Sequence, residues 1–261
     1  MTLALKLLLT PALIAVATLA GRRFGPSIGG WLVGLPFTSG PVSFFLALEQ
    51  GTSFAAAAAA GSITGVVAAA FFAIAYAVAA RHWQWPASLA VGSVAFAMAA
   101  AVLHTLAGGL PIVALYVGGL GAAIAGIRLI PPPRDLEEAP TPPRWDLPAR
   151  MIVATALVVL ITSAAPVLGP QLSGLLTTYP IYASVLAAFA HAQRGGAAAT
   201  DVVRGLCYGI LAFATFFLCI GVLIDRFGIV PAFVAAAVGA IVVQSLTLTR
   251  VRTPVSPSPT A

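Results

Sequence analysis

Nine predominantly apolar runs follow one another along this chain, at residues 3–20, 27–48, 54–80, 86–107, 110–129, 150–168, 171–192, 200–224 and 229–249. A helix needs roughly 20 apolar residues to cross the hydrocarbon core of a bilayer, and most of these runs are close to that length. No stretch shows the alternation of a membrane β-strand, so the runs read as helices, which satisfy their own backbone in lipid. Of the 261 residues 60% are hydrophobic and 8% charged, and seven carboxylates are too few for a water-covered surface. The expected fold class is therefore an all-α integral membrane protein with nine transmembrane helices.

Lys and Arg set the expected orientation. With the N-terminus outside, Arg22, Arg23, Arg81, Arg128, Arg134, Arg144, Arg150, Arg194, Arg204, Arg250 and Arg252 fall on the cytoplasmic side, and only Lys6 and Arg226 outside. The net charge of +6 is spread over span ends and forms no patch, which argues against nucleic acid as a partner and for anionic headgroups beside the arginines. Because Arg22 and Arg23 follow the first apolar run, that run is expected to be a retained span and not a signal peptide. The chain is expected to be multi-pass, with the N-terminus outside and the C-terminus in the cytoplasm.

Between the fifth and sixth runs lies PPPRDLEEAPTPPRWDLPAR, whose seven prolines read as an extended cytosolic linker. The tail TPVSPSPTA is expected to be disordered. Cys207 and Cys219 lie about 18 Å apart on one predicted helix and cannot bridge each other.

Displacing the sequence by 144 residues aligns 25–65 with 169–209 without a gap, and ten of the 41 pairs are identical: Gly25/Gly169, Pro26/Pro170, Gly30/Gly174, Leu32/Leu176, Pro36/Pro180, Phe45/Phe189, Gly51/Gly195, Ala55/Ala199, Gly61/Gly205 and Gly65/Gly209. Seven of the pairs are Gly or Pro, which dictate backbone geometry more than hydrophobicity. Lys6 pairs with Arg150 at the same offset. Spans one to four thus correspond to spans six to nine. Their separation by five spans, an odd number, turns the second copy over in the bilayer, an inverted-topology 4+1+4 internal repeat. The expected divisions are a first four-helix repeat at 1–107, a connecting transmembrane helix at 108–130, the linker at 131–149, the inverted repeat at 150–252 and the tail at 253–261.

The run SGLLTTYPIYASVLAAFAHAQRG at 173–195, an apolar span, and then DRFGIVPAFVAAAVGA resemble the GlpM-like family of small bacterial inner-membrane proteins, each about four spans long. The resemblance covers each half once, more closely the second, and rests on the spacing of Gly, Pro and aromatics. It implies topology and bacterial inner-membrane residence, and two such units fused in opposite orientations. Glu49-Gln50 stands where the second half has Gln193-Arg194, a departure from the pattern.

Each half carries a mid-span proline, Pro36 and Pro180, and carbonyls freed at membrane depth have to face protein or a wet cavity. Around them stand Thr38, Ser39, Ser43, Thr177, Thr178, Tyr179, Tyr182 and Ser184. Interrupted helices at corresponding places in inverted halves point to a transport site. The expected substrate-binding residues are Pro36, Thr38, Ser39, Ser43, Thr177, Thr178, Pro180 and Tyr182. The competing reading is of packing kinks whose hydroxyls bond back to their own helices.

GSITG at 61–65 and GLCYG at 205–209 are aligned small-xxx-small patterns, which let helix backbones approach closely. Glu49 and His104 are expected near the outer face, and His191, Arg194, Asp201 and Arg204 near the inner face. Glu49 and Asp201 are the candidate gating or coupling carboxylates, against the alternative of solvated helix ends. No metal-ligand spacing, cofactor motif or paired nucleophile and base is present, so no cofactor and no enzymatic activity are expected. The leading expectation is a secondary transporter or permease-like protein acting on a small solute or ion. The alternatives are a passive channel along the same axis and a non-transporting scaffold or accessory subunit; a homo-oligomer is compatible with any of them.

Overall fold

The computed structural model describes residues 2–106, 109–132 and 142–252, with side chains left undescribed at 2–7, 161–162 and 164–177. The described residues form helices and connecting turns. In chain order these are α1 (Thr2–Phe24), α2 (Pro26–Val33), α3 (Ser39–Gln50), α4 (Thr52–Ala79), α5 (Trp85–Leu106), α6 (Ile112–Leu129), α7 (Asp146–Thr177), α8 (Ile181–Phe227) and α9 (Ile229–Arg252). Five of them, α4, α5, α6, α8 and α9, are long and apolar enough to cross a membrane, as a membrane-embedded bundle requires.

α4 and the second stretch of α8, from residue 196 onward, form the centre. α4 is alanine-rich, which favours helix and leaves little side chain between neighbours. Ala59, Ala68, Ala70, Ala73 and Ala77 are fully or almost fully buried, interleaved with Ile63, Phe72 and Tyr76. Around this centre, α5 packs on α4, α9 and α2 pack on α8, α6 packs on both α4 and α8, and α1 lies against α2 and α7. The outer faces of α5, α6 and α9 expose Met98, Val102, Val113, Val117, Val238, Ile241 and Leu246, the kind of surface that lipid covers.

Several boundaries differ from the sequence expectation. The run at 27–48 is two helices, α2 and α3, of eight and 12 residues. At 1.5 Å per residue neither alone spans a bilayer core of about 30 Å. The runs at 150–168 and 171–192 are not separated near residue 169: α7 continues to Thr177, and the next helix starts at Ile181. The linker set at 131–149 ends earlier, since α7 begins at Asp146. An aspartate in the first turn and Pro148 two residues on are both good helix-start residues, and here they outweigh the proline-rich context. The expected tail, 253–261, lies outside the described residues, as does the middle of the linker.

Backbone breaks recur at a spacing of 144. α2 ends at Val33 and α7 at Thr177; α5 starts at Trp85 and α9 at Ile229. Gly51 has φ 88° and ψ 174°, and Gly195, inside α8, has φ 82° and ψ 176°. A side chain rarely adopts such a φ, so glycine is the residue that allows both helices to change direction there.

Candidate functional site at the two proline breaks

Both prolines sit at the centre of a three-residue turn. The Phe37 amide donates to the Leu35 carbonyl at 2.9 Å around Pro36, and the Ile181 amide to the Tyr179 carbonyl at 2.8 Å around Pro180. Pro180 has φ −78° and ψ 64°, the geometry of an inverse γ-turn. Each proline carbonyl then receives the first amide of the following turn, Gly40 at 2.7 Å and Ser184 at 2.9 Å. Proline favours this shape because its φ is already fixed near the required value and it has no N–H to leave unpaired.

Two carbonyls at the end of α2, those of Trp31 and Leu32, are met by protein. Leu32 accepts from the Leu35 amide at 3.1 Å. The Trp31 carbonyl accepts from Nε2 of Gln244 on α9 at 3.0 Å, and the Trp31 indole donates to Thr247 Oγ1 at 3.0 Å. Gln244, a buried amide in an apolar helix, was not singled out in the sequence, although its isolation in that run was the available signal.

The glycines of α2 bring this broken end against α8. A methyl on Gly30 would overlap the Val202 carbonyl oxygen, and one on Gly205 the Ser27 carbonyl oxygen. Gly34 lies so close to Gly209 that an added Cβ would fall 2.5 Å from the Gly209 Cα. GWLVG (30–34) and GLCYG (205–209) therefore pack as facing small-xxx-small surfaces. In GSITG, Gly65 faces Thr178, whose Cβ would stand 2.6 Å from an added methyl, whereas Gly61 faces open space.

Of the expected site residues, Thr38 and Tyr182 come together. They line one open groove with Leu13, Val16, Ala17, Leu32, Val33, Leu35 and Phe37, and its volume of about 20 Å³ has room for roughly one water. The Tyr182 hydroxyl shares a 3.2 Å hydrogen bond with Oγ1 of buried Thr10 and also reaches Thr38. Thr10 was not among the sequence candidates. Pro36, Ser39, Ser43, Thr178 and Pro180 are half-buried, with Thr178 against Gly65 and not in the groove; the Thr177 side chain lies outside the described residues.

The second break is filled by aromatics. Tyr179 packs edge-on against Phe72 and Phe96, with ring centroids at 5.8 and 5.3 Å, and its hydroxyl pairs with Ser93 Oγ at 2.8 Å. Beyond it the Tyr76 hydroxyl lies 3.3 Å from Nδ1 of buried His191. His191 and Asp201, both expected near the inner face, are buried, and at 4% exposed Asp201 does not fit the alternative of a solvated helix end. Asp201 makes no hydrogen bond or ion pair among the described residues, and the charges acting on it are Arg204 and Arg194. Glu49 is exposed at the end of α3.

One buried polar cluster among the described residues was missed by sequence reasoning. Asp146 is completely buried at the start of α7 and accepts from Arg22 Nη2 at 2.7 Å, from Arg150 Nε at 2.9 and 3.0 Å, and from Gln193 Nε2. The Arg150 guanidinium also lies 5.0 Å from the centre of the Phe189 ring. Burial opposes charge on Asp146, but the hydrogen bonds from Arg22, Arg150 and Gln193 and the charge of Arg150 outweigh it and hold the carboxyl below its usual range. The available signal was an aspartate four residues before an arginine at a helix start; an Asp inside a proline-rich stretch instead reads as solvated.

No protein-family model, curated protein or solved structure matches this chain.

Proposed function

We propose that the chain is a small inner-membrane secondary transporter or permease-like protein, with a path between two halves of opposite orientation. The observation that carries this reading is the groove in which Thr38, beside the Pro36 break, meets Tyr182, beside the Pro180 break, with Thr10 closing the hydroxyl set. Hydroxyls gathered where two interrupted helices meet can hold a small polar solute away from lipid.

The 144-residue correspondence supports the inverted arrangement. The ends of α2 and α7, the starts of α5 and α9, the two γ-turns and the bends at Gly51 and Gly195 occur at equivalent positions, whereas the bend at Gly25 has no counterpart in α7, which runs through residue 169. One contact is also exchanged: the offset takes Gly34 to Thr178 and Gly209 to Gly65, and both pairs touch. A twofold relation between halves produces such exchanged contacts, and α6, which lies against both α4 and α8, fits the role of connecting helix. The likeness of each half to a four-span GlpM-like unit fits the same reading. Two related halves facing opposite ways give a structure that can open to either side, as alternating access needs.

The narrow groove and the aromatic filling around Tyr179 favour a second reading, a non-transporting scaffold. A single cysteine at Thr38, in a chain with Cys207 and Cys219 replaced by alanine, separates the readings. A transporter gives labelling by a membrane-impermeant maleimide from one side at a time, a passive channel gives labelling from both sides at once, and a scaffold gives none from either side. Orientation is checked separately. A reporter fused after residue 252 is expected in the cytoplasm and one in the loop after α5 outside; both on one side would overturn the inverted reading.

A further inference from the structure

We infer that the Asp146 cluster is the cytoplasmic gate of the path, a clasp whose parting opens the groove to the inside; this rests on the proposed transport reading. The clasp joins the C-terminal end of α1 through Arg22, the start of α7 through Asp146 and Arg150, and the end of the first stretch of α8 through Gln193. Two of these segments also line the groove: α1 supplies Leu13, Val16 and Ala17, and the first stretch of α8 supplies Tyr182. Both are thus tied at one end to a common carboxylate and hold the groove residues further along.

Each clasped end adjoins a glycine bend. Arg22 lies three residues before Gly25, with φ 100°, and Gln193 two residues before Gly195, with φ 82°; nothing lies within 4 Å of where a Cβ would stand at either glycine. Neither glycine is itself crowded, so each segment can pivot there, and the ties to Asp146 act beside the packing of Ala183, Leu186 and Ala187 in holding the first stretch of α8 in place. The ties differ in strength of anchoring. Arg150 holds the carboxylate from the same helix, with a side chain only 10% exposed, while the Arg22 side chain is 32% exposed and reaches across from α1. Water can compete for the Arg22 and Gln193 ties, which cross between segments, more readily than for the intrahelical one. Opening therefore leaves Asp146 paired with Arg150 and releases α1 and the first stretch of α8, which avoids a bare buried charge in either state.

The test uses the full-length single-cysteine chain bearing Thr38→Cys in oriented vesicles, alone and with Arg22→Gln, Arg22→Lys or Gln193→Ala. Arg22→Gln and Gln193→Ala are expected to raise the rate of maleimide labelling from the cytoplasmic side by about tenfold, the order of shift produced by losing one charge-assisted hydrogen bond. Arg22→Lys keeps the charge and should stay within about threefold of the parent. Hydrogen–deuterium exchange should rise in 189–195 in the first two variants. Labelling of the parent from outside with no cytoplasmic gain in Arg22→Gln and Gln193→Ala would overturn the gate and leave the path standing. Absence of labelling from either side in every variant would overturn the path, and the gate with it.

Discussion

Gly30→Val is expected to prevent α2 from docking on α8. The added side chain would overlap the carbonyl oxygen of Val202, and a backbone atom inside a helix cannot turn aside as a side chain can. Relief requires moving a whole helix, so the loss should be roughly 3 kcal/mol or more, at or beyond the upper end for overpacked cores. Gly205→Val should behave alike through the Ser27 carbonyl. Gly61→Ala is the control with the opposite sign. It lies in the same kind of small-xxx-small pattern, yet a methyl there meets nothing within 4 Å. Alanine is the better helix former, so this variant should be neutral or stabilised by up to about 1 kcal/mol. Thermal melting of the purified variants in detergent measures all three; a Gly30→Val protein melting with the parent would contradict the described packing.

Asp146→Asn is expected to have the other large effect. It keeps the shape of the side chain but removes the negative charge from between two arginines, leaving Arg150 buried without its counterion. Breaking one side of a buried ion pair costs about 3–5 kcal/mol. Arg22→Gln, whose side chain is partly in solvent, should cost less, about 1.4 kcal/mol, the equivalent of the tenfold change expected in labelling. The same cluster sets a pH dependence. The Asp146 carboxyl is held below its usual range in the folded protein, so the folded state binds fewer protons there than the unfolded chain. Its stabilising contribution is complete above about pH 4, the range of an unperturbed aspartate, and is lost as pH falls through the lowered folded value. Melting temperature should therefore fall on acidification below about pH 4 in the parent, and more shallowly in Asp146→Asn. Equal slopes would place the acid-sensitive group elsewhere.

What the sequence determined by itself was the class of structure and the positions of its breaks. Apolar runs near 20 residues permit few folds other than helices, and the paired Pro36/Pro180 and Gly51/Gly195 marked where helices stop or bend because proline and glycine act through their own backbones. Those effects are local, although the tertiary context decides whether each one ends a helix. Helix joins were less legible: Gly25-Pro26 separates α1 from α2, whereas α7 continues through the equivalent Gly169-Pro170 to Thr177. Tertiary structure alone decided which residues face each other. GSITG and GLCYG look alike in sequence, yet Gly205 and Gly209 touch the α2 backbone while Gly61 faces open space, because a close approach depends on the partner helix as much as on the glycine. Likewise Thr10 reaches Tyr182 across 172 residues and Arg22 reaches Asp146 across 124. Exposure and pairing of a polar side chain are properties of the assembled bundle, so Asp146, read as a linker charge, becomes a buried carboxylate bonded by three side chains, while Asp201, in sequence a candidate coupling carboxylate or a solvated helix end, is buried without a hydrogen-bonding partner among the described residues.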